Sequence, residues 1–402
     1  MTVKQIYELM NTVTGEVLGK TGLVAEDLSN VVDVGTEVFN ATAVDNYVKT
    51  LVNHIGKVIF VNRPYSGKIP SVLMDSWEFG SVLEKISCDT PAAEENESWD
   101  LVDGQEYKQD IFYKPTVSAK FFNSKVTFEV PMSFTEKQVK ESFSNAAQLN
   151  GFISMIYNAV DRSMTIKIDS LVMRTINSMI AQTLNADKTA FAGGYGTAST
   201  ARCVNLLKLY NDKFFPAGTG GTANPAALTA AKAIYDPDFI RFASYTMGVY
   251  IDRLASISTL FNVGGKDRFT DAANLHVIML SDFAKGADVY LQSDVRHNEM
   301  TRLPNYETIP YWQGSGQNYE FDSTSAINVK IDASTTVEID GIVGVMFDRD
   351  ALGVSNLDRR VTTAYNAKAE FFNNYYKFDA GYFNDTNENF VVFFVSDAKT
   401  AG

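Results

Sequence analysis

Between Phe152 and Leu184 an apolar residue recurs at every fourth position: Phe152, Ile156, Val160, Met164, Ile168, Val172, Ile176, Ile180 and Leu184, with no proline or glycine in the interval. A helix accommodates that spacing and a strand does not. At about 100° per residue each step of four overshoots a full turn by about 40°, so the stripe winds around the helix instead of holding one face. Such a helix meets different neighbours along its length. At about 1.5 Å per residue it spans roughly 50 Å, long for one compact domain. A coiled coil is the competing reading, but the stripe keeps neither a period of about 3.5 nor flanking charge pairs.

The flanking segments have other periods. From Gln5 to about Ile55 the pattern is helical and broken at Gly35, with Val44, Tyr47, Val48, Leu51 and Val52 on one face. KVIFVN and KIPSVLM predict short strands around Pro64 and Gly67, and the acidic run SCDTPAAEENESWDLVDGQEYKQD has Lys108 as its only base. Next, Val117, Ala119 and Phe121 alternate with polar residues, and so do Val126, Phe128 and Val130, with Asn123 and Ser124 between them as a turn. Gly56 to Phe134 is therefore predicted to form a long, two-stranded, largely exposed excursion. A lone hairpin of this kind is marginal in water and calls for a partner surface outside its own chain.

Beyond Asn185 the glycine-rich runs FAGGYGTAST and PAGTGGTANPAA mark loops, with a short helix over Leu206 to Tyr210. A second helix is predicted from Asp238 to Phe261, capped by Asp236, opened by Pro237 and ended by Gly264 and Gly265. NLHVIML is a buried strand, Ser281 caps a helix through Leu291, and YETIPYW, AINVKID, TTVEI and GIVGVMF are further strands. The closing run TTAYNAKAEFFNNYYKFDAGYFNDTNENFVVFFV is far richer in aromatics than the 12% chain average. It reads as closing strands that turn at Asn384 to Asn389, with one aromatic face under the long helix and the other, Tyr375 to Phe378, left for a neighbour. This order of elements is α+β, not an alternating parallel sheet.

Composition excludes several functions. At 402 residues, with 45% hydrophobic and 21% charged residues, the chain is folded and holds about two or three structural units. A net charge of -13 opposes nucleic-acid binding through a broad basic surface. It also opposes an aromatic stacking platform in the tail, where Lys368 and Lys377 stand among Glu370, Asp379, Asp385 and Glu388. Cys88 and Cys203 are far apart and form no Cys-x-x-Cys, so neither a disulfide framework nor a zinc ribbon is expected. The chain shows no signal peptide pattern and no run of about eighteen apolar residues, and an intracellular soluble product is expected.

The glycine-rich loops lack a Gly-Lys-Ser/Thr ending or a G-x-G-x-x-G context, and His54, His276 and His297 are isolated. In FDRDALGVSNLDRR the charges Asp348, Arg349, Asp350, Asp358, Arg359 and Arg360 lack calcium-loop spacing and read as ion pairs between elements or chains. FNDTNEN, with Asp385, Asn387 and Glu388, reads as a turn. No catalytic residue, metal or cofactor is assigned.

Three stretches resemble the major capsid proteins of tailed bacteriophages with the Hong Kong 97-type fold. VTFEVPMSFTEKQVKESFSNAAQLNGFISMIYNAVDRSMTIKIDSLVMRTINSMIA is similar to the end of that family's extended loop and its spine helix. IDGIVGVMFDRDALGV resembles the return from axial to peripheral domain, and the aromatic tail resembles the closing strands. The nearest likeness is to shells of small short-tailed phages. The resemblance implies an N-terminal arm (1–55), an extended β-hairpin loop (56–134), a spine helix of the peripheral domain (135–188), an inserted axial domain (189–345) and a return to the peripheral domain (346–402).

It further implies a non-enzymatic protein that self-assembles as hexamers and pentamers into an icosahedral head. That head would enclose double-stranded DNA without sequence-specific binding, away from any membrane. Assembly would take place in the host cytoplasm, with a separate scaffolding protein and a portal protein as partners. The sequence departs from the family pattern in having no identifiable cross-linking Lys and Asn pair, no N-terminal scaffolding segment and no immunoglobulin-like decoration after Val395. Candidate inter-subunit contacts are Pro115, Phe121, Phe122 and Lys125 on the extended loop, Asp348, Arg349, Asp350 and Arg359 in a charge network, and Tyr375, Tyr376 and Phe378 in the tail. The alternatives are an encapsulin-like nanocompartment shell protein, or a ligand-binding or hydrolytic enzyme with lid loops near Gly193 and Gly220.

Overall fold

The computed structural model describes residues 3–19, 24–40, 47, 50–51, 69–74, 83–88, 91, 93, 98, 100–106, 112–142, 144, 146–218, 224–292, 306–313 and 320–397. The chain opens with helices α1 (Val3–Leu18) and α2 (Val31–Asn40), followed by strands β1 (Leu73–Met74), β2 (Leu83–Cys88), β3 (Val117–Phe122) and β4 (Lys125–Thr135). Then come α3 (Glu136–Ser142), α4 (Ala146–Ala186), β5 (Cys203–Asn205), α5 (Leu206–Phe214), α6 (Pro237–Ala255), β6 (Leu275–Leu280) and α7 (Ser281–Gln292). Strands β7 (Tyr306–Ile309), β8 (Ile327–Lys330), β9 (Thr336–Ile339), β10 (Ile342–Asp348), β11 (Leu352–Asn366), β12 (Phe371–Asn384) and β13 (Phe390–Phe394) complete it. KVIFVN lies outside the described residues.

The chain divides into two compact units, one of residues 1–81, 124–172 and 354–381, the other of residues 82–123, 173–353 and 382–402. In the first, a four-stranded sheet runs β1-β11-β12-β4. Its β12–β4 ladder opposes Phe372 to Phe134, Tyr376 to Val130, Phe378 to Phe128 and Ala380 to Val126. The residues between them carry a polar ladder on the opposite face: Lys377 pairs with Glu129 at 3.1 Å, and Thr127 Oγ1 donates to Asp379 Oδ1 at 2.6 Å. Two-residue alternation thus gives the sheet one apolar and one wet side. The apolar side meets the first half of α4, where Phe134 stands edge-on to Phe152 at 5.6 Å.

In the second unit the central sheet runs β5-β13-β10-β6-β7, with β10 antiparallel to both β13 and β6. Strands β10 and β13 are buried at every position, which is why GIVGVMF and FVVFF are continuous apolar runs and not alternating ones. Helix α6 covers the sheet, with Tyr250 edge-on to Phe393 at 5.3 Å. Gly341, at φ +80, opens β10 where Val395 N–H donates to its carbonyl at 2.8 Å, and a Cβ there would overlap the Val395 carbonyl. Only glycine meets both demands.

Helix α4 is longer than its stripe, running 41 residues or about 60 Å. Ile156, Val160, Met164, Ile168, Val172, Ile176, Ile180 and Leu184 are all buried, and Phe152 is half-buried. Its first half buries one side only, leaving Met155 and Ile166 exposed; from Leu171 onward burial extends around most of the helix. The winding stripe reflects this change of surroundings.

Four local expectations are corrected. Gly35 lies inside α2; the helical pattern is interrupted instead between Leu18 and Val31, where Gly19 (φ +66) ends α1. Helix α6 stops at Ala255, and Phe261 is buried from a loop, edge-on to Tyr250 at 5.9 Å, while Ile257 is exposed. β3 and β4 are not partners across Asn123 and Ser124: β3 pairs with β2, and β4 with β12, whose apolar residues match its own. β12 and β13 do not form a hairpin either, because each joins a different sheet.

Candidate inter-subunit contact surface

The β2–β3 pair is an isolated two-stranded ribbon, and its register sorts its residues into two faces. Leu83, Lys85 and Ser87 oppose Phe122, Lys120 and Ser118 on the inner face; Glu84, Ile86 and Cys88 oppose Phe121, Ala119 and Val117 on the outer one. Apart from Glu84 the outer face is apolar, with Ile86 66% exposed, Val117 59% and Phe121 62%. Immediately before β3, Phe112, Tyr113 and Pro115 are exposed as well. Several large apolar side chains exposed together on a chain this acidic mark a place where something else docks.

The inner face is anchored by charge. Lys85 and Lys120 are directly opposed across the ladder, a like-charge pair that is unfavourable by itself. Both are drawn onto the turn between β12 and β13: Lys120 Nζ meets Asp385 Oδ1 at 2.9 Å, and Lys85 Nζ meets Asp385 Oδ2 at 3.1 Å and Glu388 Oε1 at 2.7 Å. Arg268 Nε reaches the same Glu388 oxygen at 3.2 Å. Burial works against the ionised form of Asp385, but the hydrogen bond from Lys120, the Asn387 N–H and the charge of Lys85 outweigh it and hold its pKa below the ordinary value. Burial likewise works against charged Lys85, yet Glu388 and Asp385 hold its pKa above the ordinary value. Phe122 completes the anchor, packing on Phe383 at 5.0 Å.

The residues singled out from sequence separate into two groups. Pro115, Phe121, Lys125, Arg349 and Asp350 are exposed, and Tyr375 is half-buried on the wet face of the first sheet, with Lys377 Nζ 5.7 Å from its ring centre. Phe122, Asp348, Tyr376 and Phe378 are instead turned inward. Alternation along β12 puts Tyr376 and Phe378 on the apolar face. Asp348 ties its own turn, accepting from Thr270 Oγ1 at 2.7 Å and Asp350 N–H at 2.9 Å. Arg359 lies in β11, its side chain outside the described ones; its neighbour Arg360 pairs within the chain with Asp379 at 2.9 Å.

Sequence reading missed Ile86 and the cluster of Lys85, Lys120 and Arg268. The signal for Ile86 was the alternation in SVLEKISC. The cluster left none, because its members meet only when the ribbon closes onto the β12–β13 turn.

Tyr376 is 0% exposed and its hydroxyl has no hydrogen-bond partner among the described residues; burial pushes its pKa up. An unpaired buried hydroxyl is a cost, so Tyr376→Phe is expected to stabilise the chain by about 1 kcal/mol, read as a higher melting temperature. A lower one would mean that the hydroxyl is satisfied in solution.

Among the described residues no cluster of three or more His, Cys, Asp or Glu is placed to hold a metal, and no helix is long and apolar enough to cross a membrane. Neither ring nitrogen of His276 has a hydrogen-bond partner among the described residues, and His54, His297 and Gly220 fall outside them.

A family model described as Phi29-like phage major capsid protein matches residues 10–394. No curated protein matches the sequence. Among solved structures, the capsid of Staphylococcus phage Andhra aligns with a TM-score of 0.50 at 8% identity, covering 84% of this chain and 87% of that one. A structure described as the head fiber and inner core protein gp22 of native bacteriophage P68 aligns at 0.49 and 8%, covering 83% and 86%. The capsid of Cyanophage P-SCSP1u aligns at 0.44 and 10%, covering 84% and 92%.

Proposed function

Because the chain belongs to the Phi29-like phage major capsid protein family, with a Hong Kong 97-type fold and a structural role in the virion, we propose that its copies join as hexamers and pentamers into an icosahedral head around double-stranded DNA. The single observation that carries the mechanism is the ribbon with one face anchored and the other bare. Its inner face is held by Lys85, Lys120 and Phe122, while Ile86, Val117 and Phe121 face outward. In this reading the outer face lies on an adjacent copy, which hides the apolar surface that the free subunit exposes.

Residues 1–55 act as an arm, 56–134 as the extended loop, 135–188 as the spine and 346–402 as the peripheral return, with 189–345 forming the axial domain. A net charge of -13 suits a wall that holds DNA without adhering to it. Scaffolding and portal proteins are supplied separately, and assembly proceeds in the host cytoplasm. The family match favours neither a nanocompartment nor an enzyme.

Electron microscopy of the chain, alone and co-expressed with a scaffolding protein, tests this. Closed shells or capsomers are expected. Monomers under every condition and concentration would overturn it.

A further inference from the structure

The second unit carries two concave surfaces of opposite charge that share no residue. One is a groove of about 760 Å³ along α6, with Lys213, Phe242, Tyr245, Tyr250, Arg253 and Leu260 in its lining and no acidic residue. Its cations lie over aromatic rings, Lys213 Nζ 5.6 Å from the centre of Phe242 and Arg253 5.1 Å from that of Tyr250. Tyr245 is 66% exposed and Leu260 61%, a large apolar surface for a free chain to leave in water. The other is a hollow of about 620 Å³ beside the β8–β9 hairpin, where Asp322, Glu338, Asp340 and Asp397 contribute to the lining and no lysine or arginine does. Asp397 is already used in part, accepting from Ala230 N–H at 3.0 Å, whereas Asp322 and Glu338 are exposed.

We infer that the basic, aromatic groove of one copy receives the acidic β8–β9 surface of the next copy. This rests on the reading of the chain as a self-assembling shell protein. Copies carrying a net charge of -13 repel one another at long range. A groove free of acidic residues and holding two cations is therefore a place where an acidic neighbour approaches at a gain, and the exposed aromatic surface supplies affinity once it is there. Because groove and hollow are different patches, the contact is head-to-tail, and a head-to-tail contact closes into rings when its rotation fits. An aromatic and basic groove also matches single-stranded nucleic acid in kind. Two cations on an acidic chain fit a protein partner better.

Two charge-reversed variants test the pairing. One carries Lys213→Glu with Arg253→Glu, and the other Asp322→Lys with Glu338→Lys. All four positions are exposed, so each variant is expected to keep the wild-type circular dichroism and melting temperature. Alone, the first sets two glutamates against an acidic hollow, and the second sets two lysines against Lys213 and Arg253 while Asp340 and Asp397 remain in its hollow; each needs about a hundredfold more protein than wild type to form capsomers. Mixed in equal amounts, the two glutamates of one variant's groove meet the two lysines of the other's hollow, and the unaltered groove meets the unaltered hollow, so alternating rings form. Such rings contain only even numbers of subunits: six-membered rings return and five-membered ones do not, as read by native mass spectrometry.

The inference is overturned if either folded variant assembles at the wild-type concentration, or if the mixture fails to recover. It is also overturned if the groove variant assembles normally but loses binding to a single-stranded oligonucleotide, which would give the groove to nucleic acid. Wild-type chain that forms no capsomers would instead overturn the shell reading beneath it.

Discussion

Replacing Ile86 and Phe121 together with aspartate is expected to leave a folded chain that no longer builds shells. Both side chains are more than half exposed in the free subunit, so their loss costs the fold less than about 0.5 kcal/mol. In an assembled wall they would be covered, and each large apolar side chain so buried contributes roughly 1.5–3 kcal/mol. Two of them correspond to roughly a hundredfold to ten-thousandfold in the assembly threshold, and the new carboxylates would have to be desolvated besides. Light scattering during assembly measures the threshold, and thermal melting of the monomer controls for folding. An unchanged threshold would remove the outer ribbon face from the contact. Limited proteolysis gives an independent reading: cuts between Cys88 and Asp110 are expected in the monomer and are suppressed on assembly.

The second large effect concerns the other face of the same ribbon. Asp385→Ala takes from Lys120 the carboxylate at 2.9 Å while Lys85, directly opposite and largely covered, keeps its pairing to Glu388 at 2.7 Å. Breaking a buried pair by removing one partner typically costs about 3–5 kcal/mol. The lower end applies here, because both lysines keep some exposure. A urea melt reads the loss, and faster proteolysis of the ribbon shows where it falls.

The dependence on pH has two limbs. The Asp385 pKa is lowered on folding from 3.8, so its contribution is complete above that value and is lost as pH falls below it through the folded-state pKa. The Lys85 pKa is raised from 10.5, so its contribution is complete below that value and is lost as pH rises beyond it through the folded-state pKa. The wild-type ribbon should therefore loosen at both extremes. In Asp385→Ala the acid limb should shrink. An unaltered acid limb would show that other carboxylates govern it.

Much of this arrangement is legible in the residues. The four-residue stripe predicts a helix that changes its neighbours, and α4 does so at about Leu171. Continuous apolar runs distinguish the two-sided strands β6, β10 and β13 from the one-sided β4, and Asp236 caps α6 where its sequence context predicts, accepting from Phe239 N–H at 2.8 Å. The same alternation read along β12 turns Tyr376 and Phe378 inward and leaves Tyr375 outward; the three aromatics share a type but not a face.

The choice of partners was not legible. The turn at Asn123 and Ser124 looks like a hairpin because backbone hydrogen-bonding groups are the same at every residue, so a strand sequence says which side is apolar and not which strand lies alongside. β4 goes to β12 because Phe128, Val130 and Phe134 find Phe378, Tyr376 and Phe372 there in register, more than 200 residues away in the chain. β2 finds β3 across a long acidic stretch of sequence, and that pairing creates both the exposed apolar face and the lysine pair that Asp385 holds. Local periodicity fixed the type of each element and the side it buries, since both depend on neighbours within one or two turns. Which strands pair, and so which residues remain outside for another copy, was decided only when the whole chain closed.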